Sequence, residues 1–232
     1  MSTVQLVLFD IDNTLLWAGG AGSRAFDRAF AECFAVSLQD LADARGDVPM
    51  AGRTDTAILR DLLRRHGLSL DGDGNQARFV ETYVRHLKGT LAEGRGHVLP
   101  GVVDVLTALG GRVPLGLATG NWHEPAWMKL RYFGLDTHFA DGGFGEAGEE
   151  RAAVVGEALA RFGQRLGRPI DPRAVAIVGD TPEDLLAAQA HGCRSFAVAT
   201  GSYPAEVLAG YRPAHLFADL ADTQAVLDRL LG

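Results

Sequence analysis

The run Val4-Gln5-Leu6-Val7-Leu8-Phe9-Asp10-Ile11-Asp12-Asn13-Thr14 constrains the fold of this chain more than any other. Its apolar start is the pattern of a strand covered on both faces, as in a parallel sheet. Two carboxylates, one residue apart, follow where such a strand ends. Ligands of open α/β sheets sit beyond the carboxyl ends of the strands, so the position suits chemistry. Asp is a poor strand residue, and two neighbouring carboxylates without partners repel and are costly to desolvate. A bound cation is the simplest remedy. A strand running into an Asp/Asn turn capped by Thr14 is the plainer alternative, and this stretch alone leaves it open.

The same pattern returns twice. Val113-Pro114-Leu115-Gly116-Leu117-Ala118 ends in Thr119-Gly120-Asn121, and Ala174-Val175-Ala176-Ile177-Val178-Gly179 ends in Asp180. A hydroxyl, a small residue and fresh helix-start amides at a strand end suit phosphate oxygens. Thr181-Pro182-Glu183-Asp184 reads as a helix start, with Thr as cap and Pro in first position. Capping accounts for Asp184 and leaves Asp180 unexplained. Helical patterns alternate with these strands. One opens at Pro100-Gly101, one at Pro125, and one is led by Glu149-Glu150-Arg151 after a loop over Asp141–Glu146. An arginine in a first helical turn opposes the helix dipole, which hints that Arg151 faces something negative. Ser195–Ala199 and Ala214–Ala218 predict two further strands, and Asp219 is expected to cap a last amphipathic helix ending at Leu231. The reading is an α/β chain with a Rossmann-like parallel sheet.

Between the first two strands the rhythm changes. The glycine-rich stretch Leu15–Gly22 reads equally as a hinge or as a plain loop. From Ser23 to Leu91 the apolar residues recur at helical spacing, as in Ala25, Phe26, Ala29, Phe30, and again in Phe79, Val80, Tyr83, Val84, Leu87. Thr54 can cap a middle helix that Gly67 stops. No strand is expected here, and Ala92–Gly96 suits a flexible return. The expected organisation is a core of residues 1–16 and 97–232, interrupted by a helical domain at 17–96. Within that domain Gly52-Arg53-Thr54-Asp55 opens a helix. It could hold an anion through Arg53 and backbone amides, or carry a merely solvated arginine.

At 232 residues and 47% hydrophobic content, the chain can bury a sizeable core with a small second domain. No apolar run approaches a bilayer span, and Met1-Ser2-Thr3 leads into the first strand with no signal-like segment, so a cytoplasmic protein without a membrane partner is expected. A net charge of −7 argues against a nucleic-acid partner. Cys33 and Cys193 read as core thiols, and Lys88 and Lys129 are the only lysines. Nothing in the sequence sets an oligomeric state.

Asp10-Ile11-Asp12-Asn13-Thr14, Leu117-Ala118-Thr119-Gly120-Asn121 and Val178-Gly179-Asp180-Thr181-Pro182-Glu183-Asp184 resemble motifs I, II and IV of the haloacid dehalogenase-like phosphohydrolases. The helical insertion resembles their C1 cap, and Gly52-Arg53 resembles the cap loop that reads substrate in the phosphoglycolate phosphatase and β-phosphoglucomutase branch. The resemblance implies a Mg²⁺-dependent phosphomonoesterase acting on a small phosphorylated metabolite, phosphoglycolate-like or a sugar phosphate, through an aspartyl-phosphate. It implies Asp10 as nucleophile and Asp12 as general acid/base. The metal would be held by Asp10, Asp180 and a backbone carbonyl at Asp12, with Asp184 orienting water on it. Thr119, Gly120 and Asn121 would bind phosphate, and Arg53 would set substrate specificity. The branch's usual motif III Lys-Pro is missing, which leaves Arg151, favoured by register, or Lys129 as the phosphate-binding cation. Dehalogenases and phosphonatases of the superfamily lack the second motif I aspartate, which this chain has as Asp12. A hexose-phosphate mutase shares the motifs and stays open. A non-catalytic phospho-aspartate signalling module is disfavoured, because it is shorter, uncapped and lacks an acid/base in the position of Asp12.

Overall fold

The computed structural model describes residues 4–45, 50–69 and 74–232. Residues 1–3, on which the leader reading rests, lie outside that range. The chain runs β1 (Leu6–Phe9), β2 (Leu16–Trp17), α1 (Ala21–Phe34), α2 (Leu38–Arg45), α3 (Asp55–Arg65), α4 (Gly74–Leu91) and β3 (His97–Val98). It continues through α5 (Val102–Leu109), β4 (Leu115–Ala118), α6 (His123–Tyr132), β5 (Gly142–Gly143), α7 (Arg151–Leu166) and β6 (Val175–Gly179). It ends with α8 (Pro182–His191), β7 (Arg194–Val198), α9 (Ala205–Ala209), β8 (His215–Phe217) and α10 (Thr223–Leu231).

Six strands form one parallel sheet in the order β5-β4-β1-β6-β7-β8, with β1 at its centre. Alternate residues of β1 leave opposite faces. Leu6 and Leu8 join Val154, Ala158 and Phe162 of α7 and Ala188 of α8 in one core layer. Val7 and Phe9 join the other, with Val105 of α5 and Val226 of α10. Both faces are thus covered by helices, which is why the strands read as unbroken apolar runs.

Four helices, α1 to α4, fill the insertion between β2 and β3. These two strands pair antiparallel, Leu16 with Val98 and Trp17 with His97, where loops were expected. A two-residue ladder leaves no periodicity to detect. Beta5 was likewise expected as loop, since two glycines carry no strand signal, and α2 and α9 were not foreseen at all. The last helix starts later than expected. Asp222 caps it, accepting from the Ala225 amide at 3.0 Å, while Asp219 accepts from Ala221 in the preceding turn. Thr54 caps α3 as expected, accepting from the Ala57 amide at 3.1 Å. Among the described residues no helix is long and apolar enough to cross a membrane.

Candidate active site

The sheet register assembles the site. Phe9 stands opposite Leu117 on one side and Val178 on the other, so Asp10, Thr119 and Asp180 emerge side by side where the three central strands end. The strand-end residues singled out in the sequence are therefore neighbours along one edge.

Around Asp10 the charges are buried. Arg151, at the start of α7, donates to Asp10 Oδ1 at 3.0 Å and to the Ala118 carbonyl at 3.0 Å, and also bonds Asp184. Burial dominates the titration of Asp10. It outweighs the attraction of Arg151 and, with repulsion from Asp184 and Asp12, lifts the carboxyl from 3.8 to about 6. Asp180 is pushed up to about 9, first by burial and then by Asp10 and Asp184, against stabilising bonds from Thr14 Oγ1 at 3.1 Å and from its own backbone amide. The other Asp180 oxygen is buried without a partner among the described residues. Gly201 packs against that oxygen so closely that any Cβ would land on it. Asp184 also closes the capping box of α8, accepting from Thr181 N at 3.1 Å and Thr181 Oγ1 at 2.7 Å. Asp10, Asp180 and Asp184 can bring carboxylate oxygens within 4.8 Å of one another. Mutual repulsion, an orphaned oxygen and an all-oxygen donor set fit a hard divalent cation.

Asp12 has a different setting, with its side chain 38% exposed. Lys129 Nζ lies 2.5 Å from Asp12 Oδ2 and donates to Asn121 Oδ1 at 2.6 Å. Asn121 Nδ2 in turn donates to Asp12 Oδ2 at 2.8 Å and to Thr119 Oγ1 at 2.9 Å. The two cations, alternatives in the sequence, thus occupy different places: Arg151 serves Asp10 and Lys129 serves Asp12. Lys88 is exposed on α4, away from both.

The start of α3 is sewn to the strand ends. The Asp55 amide donates to the Gly120 carbonyl at 2.8 Å, and Asp55 Oδ2 accepts from the Trp122 amide at 2.9 Å. Thr56 Oγ1 donates to the Gly145 carbonyl at 2.7 Å and accepts from Trp122 Nε1 at 2.9 Å, while Thr54 Oγ1 donates to the Gly148 carbonyl at 2.8 Å. Gly120 must lack a side chain, because the Arg53 carbonyl occupies the space a Cβ would need. Trp122 is fully buried between Phe26, Phe79 and Tyr83 of the inserted helices, with ring centroids 5.8–6.1 Å away. The two regions consequently share one apolar cluster.

A cavity of about 290 Å³ lies between them. Asp10, Asp12, Asp180, Gly120, Asn121, Arg151, Lys129 and Arg53 all line it; Thr119 is fully buried behind Asn121, and Asp184 behind Asp180 and Arg151. The Arg53 guanidinium is held on its own helix, 2.5 Å from Asp61 Oδ2 and 3.4 Å from the Ala57 carbonyl. Asp55 and Tyr83 also line the cavity, and the sequence had not singled them out as site residues. Burial raises Asp55 from 3.8 to about 7 despite Lys129 and the Trp122 amide, and raises the Tyr83 phenol as well. The legible signal was the run Arg53-Thr54-Asp55-Thr56, which carries more polar groups than one helix cap requires.

Parallel strands that bring carboxylates and cations to one buried edge define an α/β protein with a cation-ready acidic centre. The model of the haloacid dehalogenase-like hydrolase family matches residues 4–192, and the chain belongs to that family. No curated protein matches the chain. Among solved structures it is similar to a haloacid dehalogenase-like hydrolase from Streptococcus pneumoniae (21% identity, TM-score 0.65, 98% of this chain and 100% of that one). A predicted phosphoglycolate phosphatase from Haemophilus somnus aligns at 19% identity and TM-score 0.65, over 97% and 99% of the two chains. CbbY from Rhodobacter sphaeroides, in complex with phosphate, aligns at 20% identity and TM-score 0.68, over 94% and 96%. At such identities these likenesses speak for the fold.

Proposed function

We propose that the protein is a Mg²⁺-dependent phosphomonoesterase for a small phosphorylated metabolite, working through an aspartyl-phosphate on Asp10, with residues 17–96 as its cap. The observation that carries this reading is the unequal partnering of two carboxylates at one strand end. Asp10 is buried against Arg151, while Asp12, two residues on, is half-exposed and held by Lys129 and Asn121. Such asymmetry suits one carboxylate for attack and the other for proton transfer.

Asp10 attacks phosphorus, and Asp12 protonates the departing alkoxide, then takes a proton from the water that hydrolyses the aspartyl-phosphate. Arg151 neutralises charge on the phosphoryl oxygens, together with the Gly120 region. Lys129 and Asn121 orient Asp12. The residues that would hold Mg²⁺ are Asp10, Asp180 and the carbonyl of Asp12, with Asp184 behind them. The ion would supply charge neutralisation between phosphate and carboxylates. The cap excludes bulk water, and a cavity at the small end of the ligand-pocket range suits metabolites, not phosphoproteins.

The test is phosphate release from a panel of metabolite monophosphates with Mg²⁺ and after chelation. Release is expected with Mg²⁺ and near-complete loss without it. Interconversion of hexose phosphates without phosphate release would instead establish a mutase. On this assignment Arg151→Ala should lower turnover by ~10²–10³, and Lys129→Ala by less. Arg151→Lys keeps the buried carboxylates paired if Arg151→Ala fails to fold. A near-silent Arg151→Ala beside a crippled Lys129→Ala would exchange the two roles.

A further inference from the structure

Three polar groups on the Asp12 side of the cavity have hydrogen-bonding capacity that the chain leaves unused. Asp55 gives one carboxylate oxygen to the Trp122 amide, and its second oxygen has no partner among the described residues. The Tyr83 hydroxyl has none either, although its ring is packed on Phe26 and Trp122. Lys129 spends two of its three protons, on Asp12 and Asn121. All three side chains are more than nine-tenths buried, and all three line the cavity. They lie close together. A Cβ placed on Gly22 would be 3.3 Å from Lys129 Nζ and 3.5 Å from the Tyr83 hydroxyl, and Asp55 acts electrostatically on both Lys129 and Tyr83. The free polar atoms open onto the cavity, where a ligand can take up the bonds that the fold does not make.

The placement tells which part of a substrate would satisfy them. Asp12 is the residue assigned to protonate the leaving oxygen, so groups beside it face the leaving alcohol and not the transferred phosphoryl. Their chemistry is complementary to a hydroxyl: Asp55 accepts its proton, Lys129 donates to its oxygen, and Tyr83 does either. Their charge is not complementary to an anion. Asp12 and Asp55 line the same cavity, Lys129 is already paired with Asp12, and Arg53, a cap arginine that also lines it, is paired with Asp61. At pH values above about 7, where Asp55 is ionised, a carboxylate or second phosphate on the leaving group would be repelled by it.

We infer that Asp55 and Tyr83 of the cap, with Lys129 of the core, form a leaving-group subsite that selects phosphate monoesters of small neutral polyols over esters whose alcohol carries an anion. This deepens the phosphatase reading and rests on its assignment of Asp12. A site built to hydrogen-bond a hydroxyl rejects an analogue that cannot make the bond far more strongly than an apolar pocket rejects an extra methylene.

Two matched pairs isolate the property: glycerol 3-phosphate against 3-phosphoglycerate, and 2-hydroxyethyl phosphate against phosphoglycolate. Within each pair a hydroxymethyl replaces a carboxylate. Binding is measured first, by calorimetry on the full chain carrying Asp10→Asn with Mg²⁺, and kcat/KM is measured on the Mg²⁺-loaded wild type. The hydroxylated member of each pair should bind at least tenfold tighter and be turned over with at least tenfold higher kcat/KM. Asp55→Asn removes the charge and keeps the shape, and it should shrink that ratio at least tenfold, chiefly through KM. Tyr83→Phe should weaken the hydroxylated members without improving the carboxylated ones. Equal or tighter binding of the carboxylated members overturns the inference. So does an Asp55→Asn variant that is folded and lowers both members of a pair equally, because a purely structural role predicts that. Preferential binding without turnover of any ester would retain the subsite and reject the phosphatase reading, whereas turnover with the opposite preference would do the reverse.

Discussion

Asp10→Asn is expected to abolish turnover, by on the order of 10⁴-fold or more, while leaving the protein folded and no less stable. The first half follows from the proposed chemistry: an amide cannot form the acyl phosphate on which hydrolysis depends. The second half follows from the electrostatics of the site. Burial lifts Asp10 to about 6, so at pH 8 its charge is maintained against the preference of the fold. Asn keeps an oxygen that can accept from Arg151, and Arg151 keeps Asp184 as a partner. The variant should therefore melt at the wild-type temperature or above it in the presence of a chelator. Assays with p-nitrophenyl phosphate, together with thermal denaturation at pH 8, test both halves. Wild-type rates in purified Asp10→Asn would remove Asp10 as nucleophile. A large drop in melting temperature would mean that the charge is structural, fixing Arg151.

The placement of this site was legible because strand ends are legible. Apolar runs fixed β1, β4 and β6, and parallel register then forces Asp10, Thr119 and Asp180 together. What escaped is what has no local signature. The β2–β3 pair and the Gly142-Gly143 strand are too short or too poor in side chains to show periodicity. Trp122 drew no reading from the sequence, because only the tertiary structure turns it from the sheet edge into the aromatic interior of the inserted helices. Sequence register favoured Arg151 over Lys129 as the motif III cation, but it could not show that the two serve separate carboxylates. Asp55 looked like an ordinary first-turn acid beside a capping Thr54, and its burial over the cavity is set by contacts some 65 residues away in sequence. Arg53 illustrates the opposite case. Its position beside the cavity was expected, whereas its pairing with Asp61, one helix face further on, depends on a rotamer that sequence does not specify.

Without metal, the protein should lose stability as pH rises, and Mg²⁺ should restore it most where the loss is greatest. The sign follows from the direction of the shifts. Asp10 rises from 3.8 to about 6 and Asp180 from 3.8 to about 9, so in both the folded state favours the protonated form. Below about pH 4 folded and unfolded chains hold these protons alike, and the carboxyls contribute their full stability. As pH climbs, the unfolded chain releases the protons first, and stability falls until each folded-state value has been passed. The window for Asp10 closes near pH 6, and that for Asp180 near pH 9. Asp10 alone corresponds to about 3 kcal/mol, or roughly 6–12 °C in Tm for a chain of this size. A divalent cation binds the ionised carboxylates and stabilises the folded state by mass action. In chelator, Tm should decline between pH 5 and pH 9, and the increment given by millimolar Mg²⁺ should grow over the same interval. Asp180→Asn removes the most perturbed carboxyl and the orphaned anionic oxygen, so it should flatten the decline and shrink the Mg²⁺ increment together. A Tm in chelator that is level across this range, or a Mg²⁺ increment independent of pH and untouched by Asp180→Asn, would place the cation elsewhere.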